Sequence, residues 1–252
     1  SEKIRSITSQ NLDQRITDIQ SEDEIGELAH SFNHLLTRLN AAFNRERQFI
    51  GDVAHELKTP LATQRSTIEV LLSKKRTNED YQKAVADLLV DNKRLTDTVK
   101  DVLDLAWAEA DKTKVSTEKT NLSEVIEELS EIATQLGMSK KLQVSKRIEK
   151  NVFVLGKRDK LFRALLNIVD NAIKYTAKGS ISLTLTTNNS TAFIKIKDTG
   201  EGITDEEITH IFDRFYRGKK SHRVDGTGLG LAIAHSIITN YKGHLTTSTR
   251  EV

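Results

Sequence analysis

His55 and Glu56 are neighbours on a helical stretch running from Phe49 to Leu61, which also holds Pro60, the only proline of the chain. Apolar residues at 50, 53 and 57 form one stripe and leave His55 pointing off it. Pro60 removes a helix hydrogen bond and crowds the preceding turn, so a bend is expected about one turn after His55. A lone helical histidine is ordinarily a surface or core residue. An imidazole off the stripe, beside a carboxylate and a kink, is a candidate for chemistry.

Three further clusters carry polar groups suited to a phosphorylated ligand. Asn167, Asn171, Lys174 and Tyr175 lie three or four apart, or adjacent, on one helical face. Carboxamide oxygens suit a hard cation such as Mg²⁺, and an ammonium suits a phosphate; the plain alternative is a solvated helix face. Asp198-Thr-Gly200-Glu-Gly202 ends a strand pattern, where glycines admit a ligand to the backbone and Asp198 can accept from an exocyclic amine. It is also simply a good turn. Asp225-Gly226-Thr227-Gly228-Leu229-Gly230 leads into a helix whose free N–H groups suit an anionic phosphate. No βαβ unit surrounds it as in a dinucleotide-binding fold, and no P-loop element occurs. Between the last two clusters, residues 211–221 place Phe212 and Phe215 in an otherwise polar loop, the composition of a nucleotide lid.

The elements that must carry these groups divide near residue 115. A cap at Ser21 with Glu24 opens a helix over about 24–72, roughly 70 Å long at about 1.5 Å per residue. Its apolar positions include Ile25, Leu28, Phe32, Leu36, Leu39 and Phe43, a heptad seam with a stutter at Phe32–Leu36. Thr77 and Asn78 open a second helix, giving an antiparallel hairpin. Two helices have too little core, so a dimeric four-helix bundle is the physical expectation. Residues 109–120 read as a linker. Beyond it come a helix from Asn121 to about Gly137, strands at 142–148 and 152–155, and a helix over 158–175. Strands near 180–187 and 191–198, a short helix, a helix over 228–241 and a strand near His244 complete an α/β sandwich.

Composition bounds the function. The 252 residues carry a formal net charge of +2, which implies no nucleic-acid partner, and contain no cysteine, which excludes disulfides and thiolate metal sites. No apolar run is long enough to span a bilayer. His30 and His34 are four apart but lack an evident third ligand, and His210, His222, His235 and His244 show no ligand spacing. His55-Glu56 lacks the second histidine that a zinc peptidase needs.

In this order the motifs resemble those of sensor histidine kinases of two-component systems. His55-Glu56-Leu57-Lys58-Thr59-Pro60 resembles their H box and Asn167–Tyr175 their N box. Asp198–Gly202 resembles the G1 box, Phe212–Phe215 the F box and Gly226–Gly230 the G2 box. Ser21–Leu28 is similar to the second helix of a HAMP signalling module.

The resemblance implies four segments: a partial HAMP-like segment over 1–42, a dimerisation and phosphotransfer hairpin over 43–110, a linker over 111–120, and an ATP-binding domain of the GHKL (Bergerat) type over 121–252. It implies that His55 accepts a phosphoryl group, that Glu56 is the general base, and that Thr59 helps dephosphorylate a response regulator. Asn167 and Asn171 would hold Mg²⁺, Lys174 and Tyr175 would contact phosphate and nucleotide, and Asp198 would read adenine. Gly200, Gly202, Gly226, Thr227, Gly228, Leu229 and Gly230 would line the ATP site, with Arg214 or Arg217 steadying the γ-phosphate. The implied partners are a second copy of the chain, a receiver domain and upstream membrane and sensor segments. The implied location is the cytoplasmic side of a membrane-anchored sensor, with this segment itself soluble and its C-terminal sheet short of an edge.

Two rival readings are a GHKL ATPase that uses ATP for conformational clamping, and a coiled-coil scaffold with a degenerate pocket.

Overall fold

The computed structural model describes residues 24–110, 118–218 and 226–249. The polar N-terminal stretch, the cap at Ser21, most of the linker, His222 and Asp225 lie outside the described residues. The chain divides into two compact units, one ending at Thr63 and the other starting at Gln64.

Two long helices come first, α1 (Glu24–Ser73) and α2 (Asn78–Ala110), joined through residues 74–77. The second start is built as its sequence implies. Thr77 Oγ1 accepts from the Asp80 N–H at 3.1 Å, and Asp80 Oδ2 accepts from the Thr77 N–H at 3.3 Å, a reciprocal cap. Along α1 the expected seam is only partly covered: Leu36 is buried, while Leu28, Leu39, Phe43 and Ile50 are exposed.

The α/β part begins earlier than the sequence reading placed it. β1 (Lys119–Asn121) pairs antiparallel with β3 (Phe153–Leu155), so Lys119 and Thr120 are strand rather than linker. Thr120 Oγ1 also donates to the Gly156 carbonyl at 2.6 Å. α3 (Leu122–Gly137) follows, its N-cap Asn121 accepting from the Ser123 N–H and donating to Glu124. β2 (Gln143–Ile148) runs parallel to β4 (Ser180–Asn188), and β4 runs antiparallel to β5 (Thr191–Asp198), in the order β2-β4-β5. A parallel pair needs a crossover, which β3 and α4 (Arg158–Tyr175) supply. A four-residue helix, α5 (Asp205–Ile208), and α6 (Gly230–Asn240) complete the described elements.

The core lies between the helices and one face of this sheet. Ile181, Leu183 and Leu185 alternate inward from β4 and meet Val125, Ile126 and Leu129 of α3 and Leu165, Val169 and Ile173 of α4. Each such side chain contributes about 1.5–3 kcal/mol when fully buried. The expected strand at His244 does not form. Exposure alternates over 243–247, as in an extended chain, but no strand is assigned through 249. Without a neighbour to pair its N–H groups, an extended segment builds no ladder. Among the described residues no helix is long and apolar enough to cross a membrane.

Candidate functional site

The groups singled out in the sequence fall in both units. In the first, His55 is exposed on α1 and Glu56 is half-buried, as their stripe predicts. Helix is assigned through Pro60, which has no N–H to offer the Glu56 carbonyl four residues earlier. Thr59 Oγ1 donates to the His55 carbonyl at 3.3 Å, and Thr63 Oγ1 to the Thr59 carbonyl at 3.2 Å. Hydroxyl back-bonding and a missing N–H both loosen the local helix ladder.

In the second unit the remaining motifs assemble around α4. Its buried face is Leu161, Ala164, Leu165, Val169, Ala172 and Ile173, which turns Asn167, Asp170, Asn171 and Lys174 to the opposite side. Lys174 Nζ meets Asp170 Oδ2 at 2.7 Å. The start of α6 runs beside this face, and a Cβ built on Gly230 would sit 3.7 Å from Asn167. A cavity of about 190 Å³ opens here, lined by Asn167, Asn171 and Gly230 together with residues of α2. The Asn167 side-chain N is buried and has no hydrogen-bond partner among the described residues. An amide left short of a partner fits a site that an ion or phosphate completes.

The glycine turns approach backbone closely. Gly228 has φ +74°, and a Cβ there would lie 2.7 Å from the carbonyl carbon of Phe215, itself at φ 60°. The phenylalanine loop and the Gly226–Gly230 turn are thereby locked together, and Phe212 stacks on His235 at 5.0 Å. Gly202, at φ +72°, passes Thr249. Leu229 is fully buried, and its N–H donates to Thr227 Oγ1 at 3.2 Å. Asp198 and Gly200 lie at the far end of α4, where a Cβ on Gly200 would meet the Tyr175 carbonyl.

The sequence reading missed what α2 contributes. Arg163 of α4 reaches Asp101 Oδ1 and Asp104 Oδ2, each at 2.7 Å. Thr227 Oγ1 donates to Asp101 Oδ2 at 2.8 Å, and Arg214 pairs with Glu109. The Asn240 side chain donates to the Ala108 carbonyl, and Lys160 Nζ stands 5.5 Å from the Trp107 ring centroid. Asp97 and Lys100 also line the cavity. Burial pushes the Asp101 carboxyl above its ordinary value, with the Thr227 hydroxyl and Arg163 pulling the other way. The signal available in sequence was spacing, since Arg163, Asn167 and Asn171 recur every four residues. Neither Arg214 nor Arg217 faces open solvent, since both are half-buried. Among the described residues no group of three metal-ligating side chains forms, and His30 and His34 are both exposed.

Comparison with known proteins gives three consecutive family matches. Residues 1–41 match the HAMP domain, 45–111 the His Kinase A (phospho-acceptor) domain, and 156–251 the Histidine kinase-, DNA gyrase B-, and HSP90-like ATPase. The chain is 30% identical to the probable sensor kinase SilS of Salmonella typhimurium over 254 residues, covering 97% of this chain and 50% of that protein. It is 29% identical to the sensor histidine kinase CusS of Escherichia coli K12, covering 96% of this chain and 51% of that one. The chain thus spans about half the length of the curated relatives it matches. Its fold is like that of the Acinetobacter baumannii histidine kinase AdeS, with a TM-score of 0.58, 24% identity, and coverage of 74% of this chain and 86% of that chain.

Proposed function

The chain belongs to the two-component sensor histidine kinases, and from that membership we propose that it transfers the γ-phosphoryl group of ATP to His55 and passes it on to an aspartate of a response regulator. The observation that carries this reading is the cavity beside α4, where the incompletely bonded Asn167 and the backbone of Gly230 stand together.

In this reading an imidazole nitrogen of His55 attacks the γ-phosphorus while the bond to the ADP oxygen breaks. Glu56, one residue on, takes the proton from the other ring nitrogen, which keeps the attacking nitrogen nucleophilic. ADP leaves with the bonding electrons. Asn167 and Asn171 would hold Mg²⁺ through their side-chain oxygens, and the ion would supply charge that offsets that of the phosphates. Lys174 and the N–H groups of the Gly226–Gly230 turn receive phosphate oxygens, Tyr175 flanks the nucleotide, and Asp198 accepts from the adenine amine. Arg214 or Arg217 steadies the γ-phosphate, and Arg214 must leave Glu109 to do so. Thr59 serves dephosphorylation of the regulator, orienting a water that takes the phosphoryl group from the aspartate as inorganic phosphate. The working state is a dimer. The exposed Ile50, Leu61, Ile68 and Leu72 on α1, and Val85 and Leu89 on α2, support that state as surfaces for a second copy. Membrane and sensor segments precede this portion, which lies in the cytoplasm. The conformational-clamp reading is disfavoured by the phospho-acceptor match over 45–111.

The test is labelling with ATP carrying a marked γ-phosphate. The chain should acquire acid-labile, base-stable phosphate, and His55→Gln should abolish it. Undiminished labelling of that variant moves the phosphoacceptor elsewhere.

A further inference from the structure

We propose that Lys140, which belongs to none of the motifs above, is a positioning residue for the base-reading end of the nucleotide site. The inference rests on the ATP-binding reading of that site.

Lys140 closes the tight turn Met138–Lys140 that ends α3. That turn is held by the Lys141 N–H on the Met138 carbonyl and the Leu142 N–H on the Gly137 carbonyl. It delivers the Lys140 ammonium to the C-terminus of α4, onto the carbonyls of Ile173 at 2.7 Å, Lys174 at 2.9 Å and Thr176 at 3.5 Å. Those carbonyls have no helical donor and lie at the negative end of the helix dipole, so a cation there holds the last turn in place. Thr176 adds its hydroxyl to the Ala172 carbonyl at 2.7 Å and is fully buried.

The one carbonyl of this run that Lys140 does not take, that of Tyr175, abuts Gly200. A Cβ at Gly200 would lie 2.5 Å from that oxygen, so the Asp198–Gly202 turn is seated directly on the end of α4. Thr199 Oγ1 accepts from the Ser180 N–H at 2.9 Å and adds a second point of attachment. Within the turn, the Gly200 N–H donates to Asp198 Oδ1 at 2.8 Å, which orients the carboxylate. A path of direct contacts therefore runs from the Lys140 ammonium to Asp198. The same helix end carries Lys174 and Tyr175. A simple helix cap would stabilise the domain and nothing more. A positioning residue also sets how well Asp198 meets the base.

The purine ring offers a readout that separates the two. Adenine presents an amine where guanine presents a carbonyl oxygen, so a well-placed carboxylate favours ATP over GTP. Binding of ATP and of GTP to the whole chain is measured by titration calorimetry for the wild type, Lys140→Met and Lys140→Arg. In Lys140→Met the ATP affinity should fall about tenfold, the worth of one weakened hydrogen bond, with little change for GTP. Lys140→Arg should restore the preference. Lys140→Gln, which can still donate to one of the carbonyls, should lower the preference part of the way and keeps the test valid if Lys140→Met does not fold. An ATP-to-GTP ratio unchanged in a folded Lys140→Met or Lys140→Gln overturns the proposal. Failure of the wild type itself to bind ATP would instead remove the nucleotide reading on which it stands.

Discussion

Replacing Arg163 by methionine should free α2 from the nucleotide-binding unit. In the structure the guanidinium holds Asp101 and Asp104 at 2.7 Å each, and the three side chains retain only 24%, 19% and 17% of their exposure. Hydrogen bonds to charged groups contribute about 1.5–3 kcal/mol each. Removing one member of a buried ionic group costs about 3–5 kcal/mol, because the charges left behind stay desolvated. The residual exposure argues for the low end, so about 3 kcal/mol, or on the order of a hundredfold in the docking equilibrium. The chain contains its own reporter: Trp107, its only tryptophan, lies on α2 with Lys160 Nζ 5.5 Å from its ring. In Arg163→Met its emission should change as the Lys160 ammonium leaves the ring, and amide exchange over residues 97–110 should accelerate. Asp104→Asn, which leaves the hydrogen-bonded Asp101 pair intact, should give less than half the effect, since the Arg163–Asp104 contact is an ion pair without a hydrogen bond. Emission and exchange that match the wild type in Arg163→Met would refute the reasoning, because the ion pairs would then hold nothing.

Two further outcomes follow from local geometry. Asp101 carries a raised carboxyl pKa, chiefly from burial. The folded form therefore binds a proton that the unfolded chain releases, so its contribution to stability is complete below the ordinary carboxylate value and is lost as pH rises through the raised one. Docking of α2 followed through Trp107 should strengthen on acidification toward that range, and the difference between wild type and Asp101→Asn isolates the effect from Arg163, Asp104 and Lys174 nearby. Lys141 holds φ 55° and ψ 36° at the end of its turn; Lys141→Gly should stabilise the domain by up to about 1 kcal/mol in thermal melts, since glycine meets no steric penalty there.

Much of the fold was legible because its signals are local. α4 runs over 158–175 as its apolar period and neighbouring strands required, and α2 starts at the reciprocal Thr77–Asp80 cap. Asn167, Asn171 and Lys174 share a face because helix geometry leaves no alternative. What escaped depends on partners distant in sequence. Lys119–Asn121 is strand because Phe153–Leu155 lies beside it, and in Lys-Thr-Asn only Thr120 favours a strand by itself. The residues after Gly243 show the reverse, an alternating pattern without a paired neighbour. Asp101 and Asp104 look like ordinary solvated positions of a heptad helix and Glu109 like the first residue of the linker, and their meeting with Arg163, Thr227 and Arg214 belongs to tertiary structure alone.

The boundary between the two units falls at Thr63 and Gln64, inside α1 and within a turn of Pro60. The chain therefore crosses from one to the other as helix and not as loop. A loop lets either side spin freely, whereas a helix is stiff in torsion and yields mainly by bending where its ladder is incomplete. At the Glu56 carbonyl, which Pro60 cannot serve, that ladder is incomplete. Bending of α1 is therefore easiest within a turn of His55.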